Sequence, residues 1–198
     1  MKNNGRWKKI VKTLFARKVA MVSAVVVVLF IAVAILAPVI SPYDPNYADF
    51  ASFLQGPGSA HLLGTDNYGR DVLSRIIYGT RVSLIIGVFA VMIACIIGTF
   101  FGMIAGYFGG IVDDVINRIM EAIRAIPQII LAMALTAVFG SGIRNLAIIL
   151  GISSMAGYVR MMRGQVLTIK QADYIMAGKL QGNKNFRLMF KHILPNSI

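Results

Sequence analysis

Residues able to do covalent chemistry are few in this chain of 198, and none is grouped for it. There are two histidines, His61 and His192, eight carboxylates and one cysteine, Cys95. No histidine stands near a carboxylate and a hydroxyl in a spacing that suggests a nucleophilic triad. No Gly-x4-Gly-Lys-Ser/Thr phosphate loop is present, so ATP hydrolysis is not expected of this chain itself. No metal site and no catalytic residue are predicted. Cys95 lies inside an apolar run, cannot form an intrachain disulfide and is expected as a buried small hydrophobe. What chemistry there is concerns charge and contact, and it gathers in Thr168 to Asn196, TIKQADYIMAGKLQGNKNFRLMFKHILPN. The segment reads as a helix, a glycine break and a second, basic helix. Ala172, Ala177 and Gly178 make the first half slim, and Gly182-Asn183 provides a stop where positive φ is cheap. Lys184, Arg187 and Lys191 form one charged face, with Phe186, Leu188, Met189, Phe190 and Ile193 as apolar surface. Leu194-Pro195 is expected to end the pattern. Such a helix either lies on an anionic membrane surface or docks to a soluble partner, and periodicity does not separate the two.

Composition says where those elements must sit. Hydrophobic residues are 57% of the chain and charged ones 14%, with mean hydropathy +0.72. That balance implies an all-α, polytopic membrane protein. The net charge is +12, and seven of the twenty basic residues lie in the first eighteen positions, seven more between Arg160 and Lys191. Both clusters flank apolar spans, so a positive-inside orientation explains them with less than nucleic-acid binding would.

In order, residues 1–18 read as a basic cytoplasmic leader with Trp7, Ile10, Val11, Leu14 and Phe15 towards lipid. The first span is predicted at 19–40, twenty-two residues without a charge, read as a retained anchor rather than a cleaved signal. An extracytoplasmic loop follows at 41–80. Within it Thr65 is expected to cap a short helix, with Asp66–Arg70 and Asp71–Arg75 as i,i+4 pairs. The second span is predicted at 81–108, the third at 116–140 with Pro127 kinking or starting it, and the fourth at 145–167. Only fifteen residues separate Asn145 from Arg160, so Arg160 and Arg163 must snorkel or be buried in the bundle. Along the second span Ala94, Gly98, Gly102 and Gly106 recur every four positions, a small stripe that lets another helix approach closely. Four spans place both ends in the cytoplasm, and His61 and His192 on opposite sides.

The 168–196 segment, with its glycine and closing HILPN, resembles the cytoplasmic coupling loop, the EAA loop, of ABC importer permeases. HLLGTDNYGRDVLSR, from His61 to Arg75, resembles the signature before the second span in the C-type permease subunit of dipeptide, oligopeptide and nickel importers. The likeness continues through Gly79–Val88, Ala105–Pro127 and Arg163–Lys170 and covers most of the chain from about Ala20. It implies a transmembrane subunit of an ATP-driven importer for di- or oligopeptides or a related small solute. The docking loop would use Ala172, Asp173, Tyr174, Met176, Ala177, Gly178, Lys179, Gly182 and Pro195, and the extracytoplasmic signature Gly64, Asp66, Gly69, Arg70 and Asp71. The resemblance further implies ATP and magnesium held by partner ATPase subunits, a second homologous permease and an extracytoplasmic solute-binding protein. It implies a bacterial inner-membrane location with the N-terminus cytoplasmic. Family members carry an acidic residue at Met176, alanine at Gly178 and Ala-Leu at Leu180-Gln181, and continue through about two more spans, so the chain is expected to stop short. A secondary transporter is the rival from another class, but 19–40, 82–112 and 125–143 hold no ionisable group for a coupling ion. A small membrane scaffold is the third reading.

Overall fold

A computed structural model describes residues 17–197. The expected leader, apart from Arg17 and Lys18, lies outside the described residues. The chain divides into two compact units at Ile85/Ile86.

The first unit opens with α1, Lys18–Ile40. Its Val and Ile side chains are largely exposed, and only Ala34 and Ala37 are buried. A helix apolar all round that protein does not cover is suited to lipid, and 23 residues at helical rise reach about 35 Å, enough for a hydrocarbon core. Residues 41–71 then form an elbow with one short 3-10 turn, Phe50–Ser52, and an isolated antiparallel bridge between Thr65 and Asp71. Helix α2, Val72–Phe108, starts in this unit. It begins nine residues before the predicted second span because Asp71 caps it. The Asp71 carboxylate accepts from the Ser74 backbone N–H at 2.7 Å.

The second unit holds the rest of α2 and, among the described residues, five further helical segments. Helix α3 is Gly110–Ala125, α4 is Gln128–Phe139 and α5 is Ile143–Ile169. The predicted third span, 116–140, is therefore not one straight helix. Pro127 holds Ile126 in an extended conformation, and α3 and α4 meet at 89°. Among the described residues, three helices are long and apolar enough to cross a membrane, or four if this bent pair forms one span. The protein is a polytopic helical membrane protein, as its composition implied. Helix α5 runs unbroken past Arg160, which is exposed, and Arg163, which is half-buried.

The small stripe of α2 packs against α5. Ala94, Gly98, Gly102 and Gly106 are all buried. A Cβ at Gly102 would lie 2.5 Å from the Val159 carbonyl oxygen and 2.8 Å from Met162 Cβ. At Gly106 it would lie 2.8 Å from Val166 Cβ, and at Gly98 it would collide with Tyr158 Cβ. Gly151 on α5 reciprocates, facing Ile93 and the Ala90 carbonyl. Backbones this close gain dispersion contacts that lipid tails do not match. Cys95 departs from expectation. It stands one position, about 100° of helix, from buried Ala94 and is exposed.

Candidate functional site

After α5 the chain turns through Lys170–Ala172 into α6, Asp173–Leu180. Asp173 in its first turn and Lys179 in its last complement the helix dipole. Its end is a Schellman motif. Gly182, at φ +76, donates its N–H to the Lys179 carbonyl at 2.9 Å, and Asn183 donates to that of Gly178 at 3.1 Å. A second helical run, α7, comprises Asn185–Arg187, a π-helical turn Leu188–Ile193 and Leu194–Ser197. Pro195 does not end this helix, contrary to expectation. The Leu194 N–H reaches back five residues to the Met189 carbonyl, and that wider turn just ahead of the proline relaxes the usual clash with the preceding turn.

The loop is seated by apolar contact. Ile175 of α6 and Leu188, Met189 and Ile193 of α7 are buried in one cluster with Met103 and Tyr107 of α2 and Met162 and Val166 of α5. Two polar ties reinforce it: Lys170 Nζ donates to the Tyr107 carbonyl at 2.6 Å, and the Tyr107 hydroxyl donates to Asn185 Oδ1 at 2.8 Å. Lys179 Nζ stands 5.5 Å from the Tyr107 ring centroid.

Of the residues predicted for docking, Asp173, Tyr174, Met176, Ala177, Lys179, Gly182 and Pro195 are exposed, and Ala172 and Gly178 are half-buried. Leu180, beside them, is 89% exposed. Met176, Lys179 and Leu180 border a shallow cleft of about 520 Å³ with Leu167, Lys170 and Gln171. Met176 is thus an apolar side chain beside two lysines. Gly178 has a packing reason, since a Cβ there would lie 2.9 Å from the tip of Leu188. Of the loop residues that seat it, Leu188, Met189 and Ile193 belong to the apolar surface read from the sequence, whereas Ile175 was not singled out, although it is an apolar β-branched residue of its helix.

The elbow of the first unit is a separate constellation, built from polar groups. Asp66 accepts from the Arg70 guanidinium at 2.9 Å, from the backbone N–H groups of Tyr68 and Arg70, and from Arg75. Desolvation disfavours its ionised form, but the Arg70 hydrogen bond and the two N–H groups outweigh that and hold the carboxyl below the usual range. Arg75 pairs with Asp66, not with Asp71 as the i,i+4 spacing suggested. Asp71 is buried and accepts from the Ser74 hydroxyl at 2.6 Å, and His61 Nδ1 lies 3.0 Å from it. Its pKa is lowered too: burial opposes ionisation, and the Ser74 and His61 contacts overcome it. Thr65 does not cap a helix. Its hydroxyl donates to the Ser52 carbonyl and accepts from the Gln55 N–H at 2.9 Å, pinning the two arms of the elbow. Gly69 is needed because at φ +70 its Cα sits against the Asp49 carbonyl, where any Cβ would collide. Gly64 is likewise buried against Gln55.

Residues 98–198, from the glycine stripe to the end of α7, match the family model of the binding-protein-dependent transport system inner membrane component. Residues 5–57 match the N-terminal TM domain of oligopeptide transport permease C. The chain belongs to this permease family. It is 41% identical over 192 residues to the dipeptide transport system permease protein DppC of Alkalihalophilus pseudofirmus, covering 97% of this chain and 63% of the relative. It is 40% identical over 193 residues to the glutathione transport system permease protein GsiD of Pectobacterium atrosepticum, covering 97% and 64%. A DppC of Haemophilus influenzae is 36% identical over 185 residues, 90% and 63%. The chain thus spans a little under two thirds of the length of these permeases.

Proposed function

We propose that this chain is a transmembrane subunit of an ATP-driven importer for di- or oligopeptides or a related small solute, and that α6 docks to a cytoplasmic ATPase. The observation that carries the reading is the two-sided character of α6. Its inner side is fixed by Ile175 to α2 and α5, while Tyr174, Met176 and Leu180 are left uncovered. Exposed apolar groups of this size on a polar loop are a contact surface in search of a partner. Partner subunits would bind ATP and magnesium, and their closure would displace α6 and bias the spans between inward- and outward-facing states. The named relatives move dipeptides and glutathione, which favours a short peptide as solute. A second permease subunit would complete the pathway, and an extracytoplasmic binding protein would deliver solute near the elbow. The location is the bacterial inner membrane, with the N-terminus and α6 on the cytoplasmic side.

The test uses Gly182. No atom lies within 4 Å of where its Cβ would stand, so a substitution there strains only the backbone at φ +76. Gly182→Val opposes that conformation, whereas Gly182→Asn tolerates it. Val is expected to abolish uptake while membrane insertion stays normal, and Asn to retain most of it. Equal uptake by both variants would remove this loop from the mechanism.

A further inference from the structure

Helices α2 and α3 are joined by Gly109 and Gly110, both at positive φ (+66 and +53) and both with open space around them. A joint of two unpacked glycines transmits little force from one helix to the next. Side-chain contacts must therefore set the direction of α3: Ile116 and Met120 are buried in one apolar cluster with Met155, Ala156 and Val159 of α5 and Ala94 and Ala105 of α2, and one polar contact adds direction to that packing. Arg163 of α5 places Nε and Nη2 each 2.5 Å from the two carboxylate oxygens of Asp113, in the first turn of α3. Asn117 donates to Asp113 Oδ1 at 2.6 Å and to its carbonyl at 2.8 Å, fixing the acceptor's rotamer. The Asp113 side chain is only 12% exposed, too buried to ionise comfortably without its partner. The other charged residues of α3, Asp114, Arg118, Glu121 and Arg124, are exposed. Arg163 stands two turns before Lys170, at the base of the docking loop.

We infer that Asp113–Arg163 is the positioning pair that carries movement of the docking loop into α3 and, through the bend at Pro127, into α4. This rests on the proposed importer function. A planar guanidinium gripping both carboxylate oxygens resists rotation as well as separation, which a single-point contact does not. The glycine joint leaves α3 linked to α2 by side-chain packing rather than by a continuous helix, so that the Arg163 grip can turn it.

The experiment measures solute taken up per ATP hydrolysed, in vesicles containing the importer purified with its partner subunits. D113N is expected to lower that ratio about tenfold or more. R163K, which keeps the charge and loses the fork, should lower it about threefold. The exchanged pair D113R/R163D should recover a substantial part of the loss. Hydrolysis with an unchanged ratio in D113N and R163K would overturn the inference, as would singles that lose coupling and an exchange that recovers none. If D113N does not assemble, R163K alone decides. A parental complex that contains no ATPase contradicts the docking reading instead, and G182V in the same assay separates the two failures.

Discussion

The elbow at 41–71 and the loop at 170–197 are similar in length and opposite in how they hold their shape. In the elbow the buried side chains are polar, Thr65 and Asp71, the latter bonded to buried Ser74 of α2, with Asp66 gathering two arginines and two backbone N–H groups. Its large apolar side chains, Phe50, Phe53, Leu54 and Leu62, are exposed. The loop inverts this. Ile175, Leu188 and Ile193 are buried, and Lys184, Arg187 and Lys191 stay outside. Hydrogen-bonded carboxylates make the elbow largely self-supporting. Packing on α2 and α5 makes the loop an extension of those helices, so whatever moves the loop moves them. That is the property a transmission element needs.

The comparison breaks most severely at the seat of the loop. Gly102→Leu drives a side chain into the α5 backbone, which has no rotamer to escape by, and should cost about 3 kcal/mol or more. Gly87→Leu, on the same helix with nothing within 4 Å, is the matched control. Thermal inactivation in detergent should separate the two clearly. Next, Ile175→Ala should cost roughly 2 kcal/mol, the low end for a buried isoleucine because a loop can partly collapse. Amide exchange should rise across 173–193 and not in the elbow, whereas Leu180→Ala, at 89% exposure, should leave exchange unchanged.

The smallest effect is set by pH and reverses the roles. Asp66 and Asp71 have pKa values lowered by folding, so the stability they add is fully present above the unfolded Asp value of about 4 and is lost as pH falls through the folded values. Exchange protection of the elbow, corrected for intrinsic rate, should be flat from pH 7 to about 5 and fall in stronger acid. The loop should keep its protection over that range. A loop that loosens first would contradict the division between polar and apolar support.

The sequence shows this division unevenly. Apolar runs and four-residue small spacing are local patterns, so the membrane class, the helical fold and the small stripe could be read directly. Which surface the stripe faces could not, because Gly102 meets Val159 across 57 positions (102 to 159) and spacing carries no partner. The elbow was misread in detail for the same reason. Helix spacing assigns Arg75 to Asp71, four positions before it, but residues 66–71 are not helical, and Asp71 is consumed capping α2, so Arg75 pairs with Asp66 instead. Pro195 was read as a stop because the π turn that accommodates it has no composition of its own. Arg163 left one trace: an arginine so soon after an apolar segment must snorkel or be buried in the bundle, but the partner it finds, Asp113, is fifty positions away.

The central claim is that α6 presents its uncovered side to an ATPase. A photoreactive side chain placed at Leu180 in native membranes tests it most directly, since that residue is the most exposed of the loop's large apolar groups. The account predicts one dominant protein adduct, to an ATP-hydrolysing subunit, that weakens when Gly182→Val is added. Adducts to lipid alone, at Leu180 and equally at Met176, would contradict it and make the loop a membrane-surface helix.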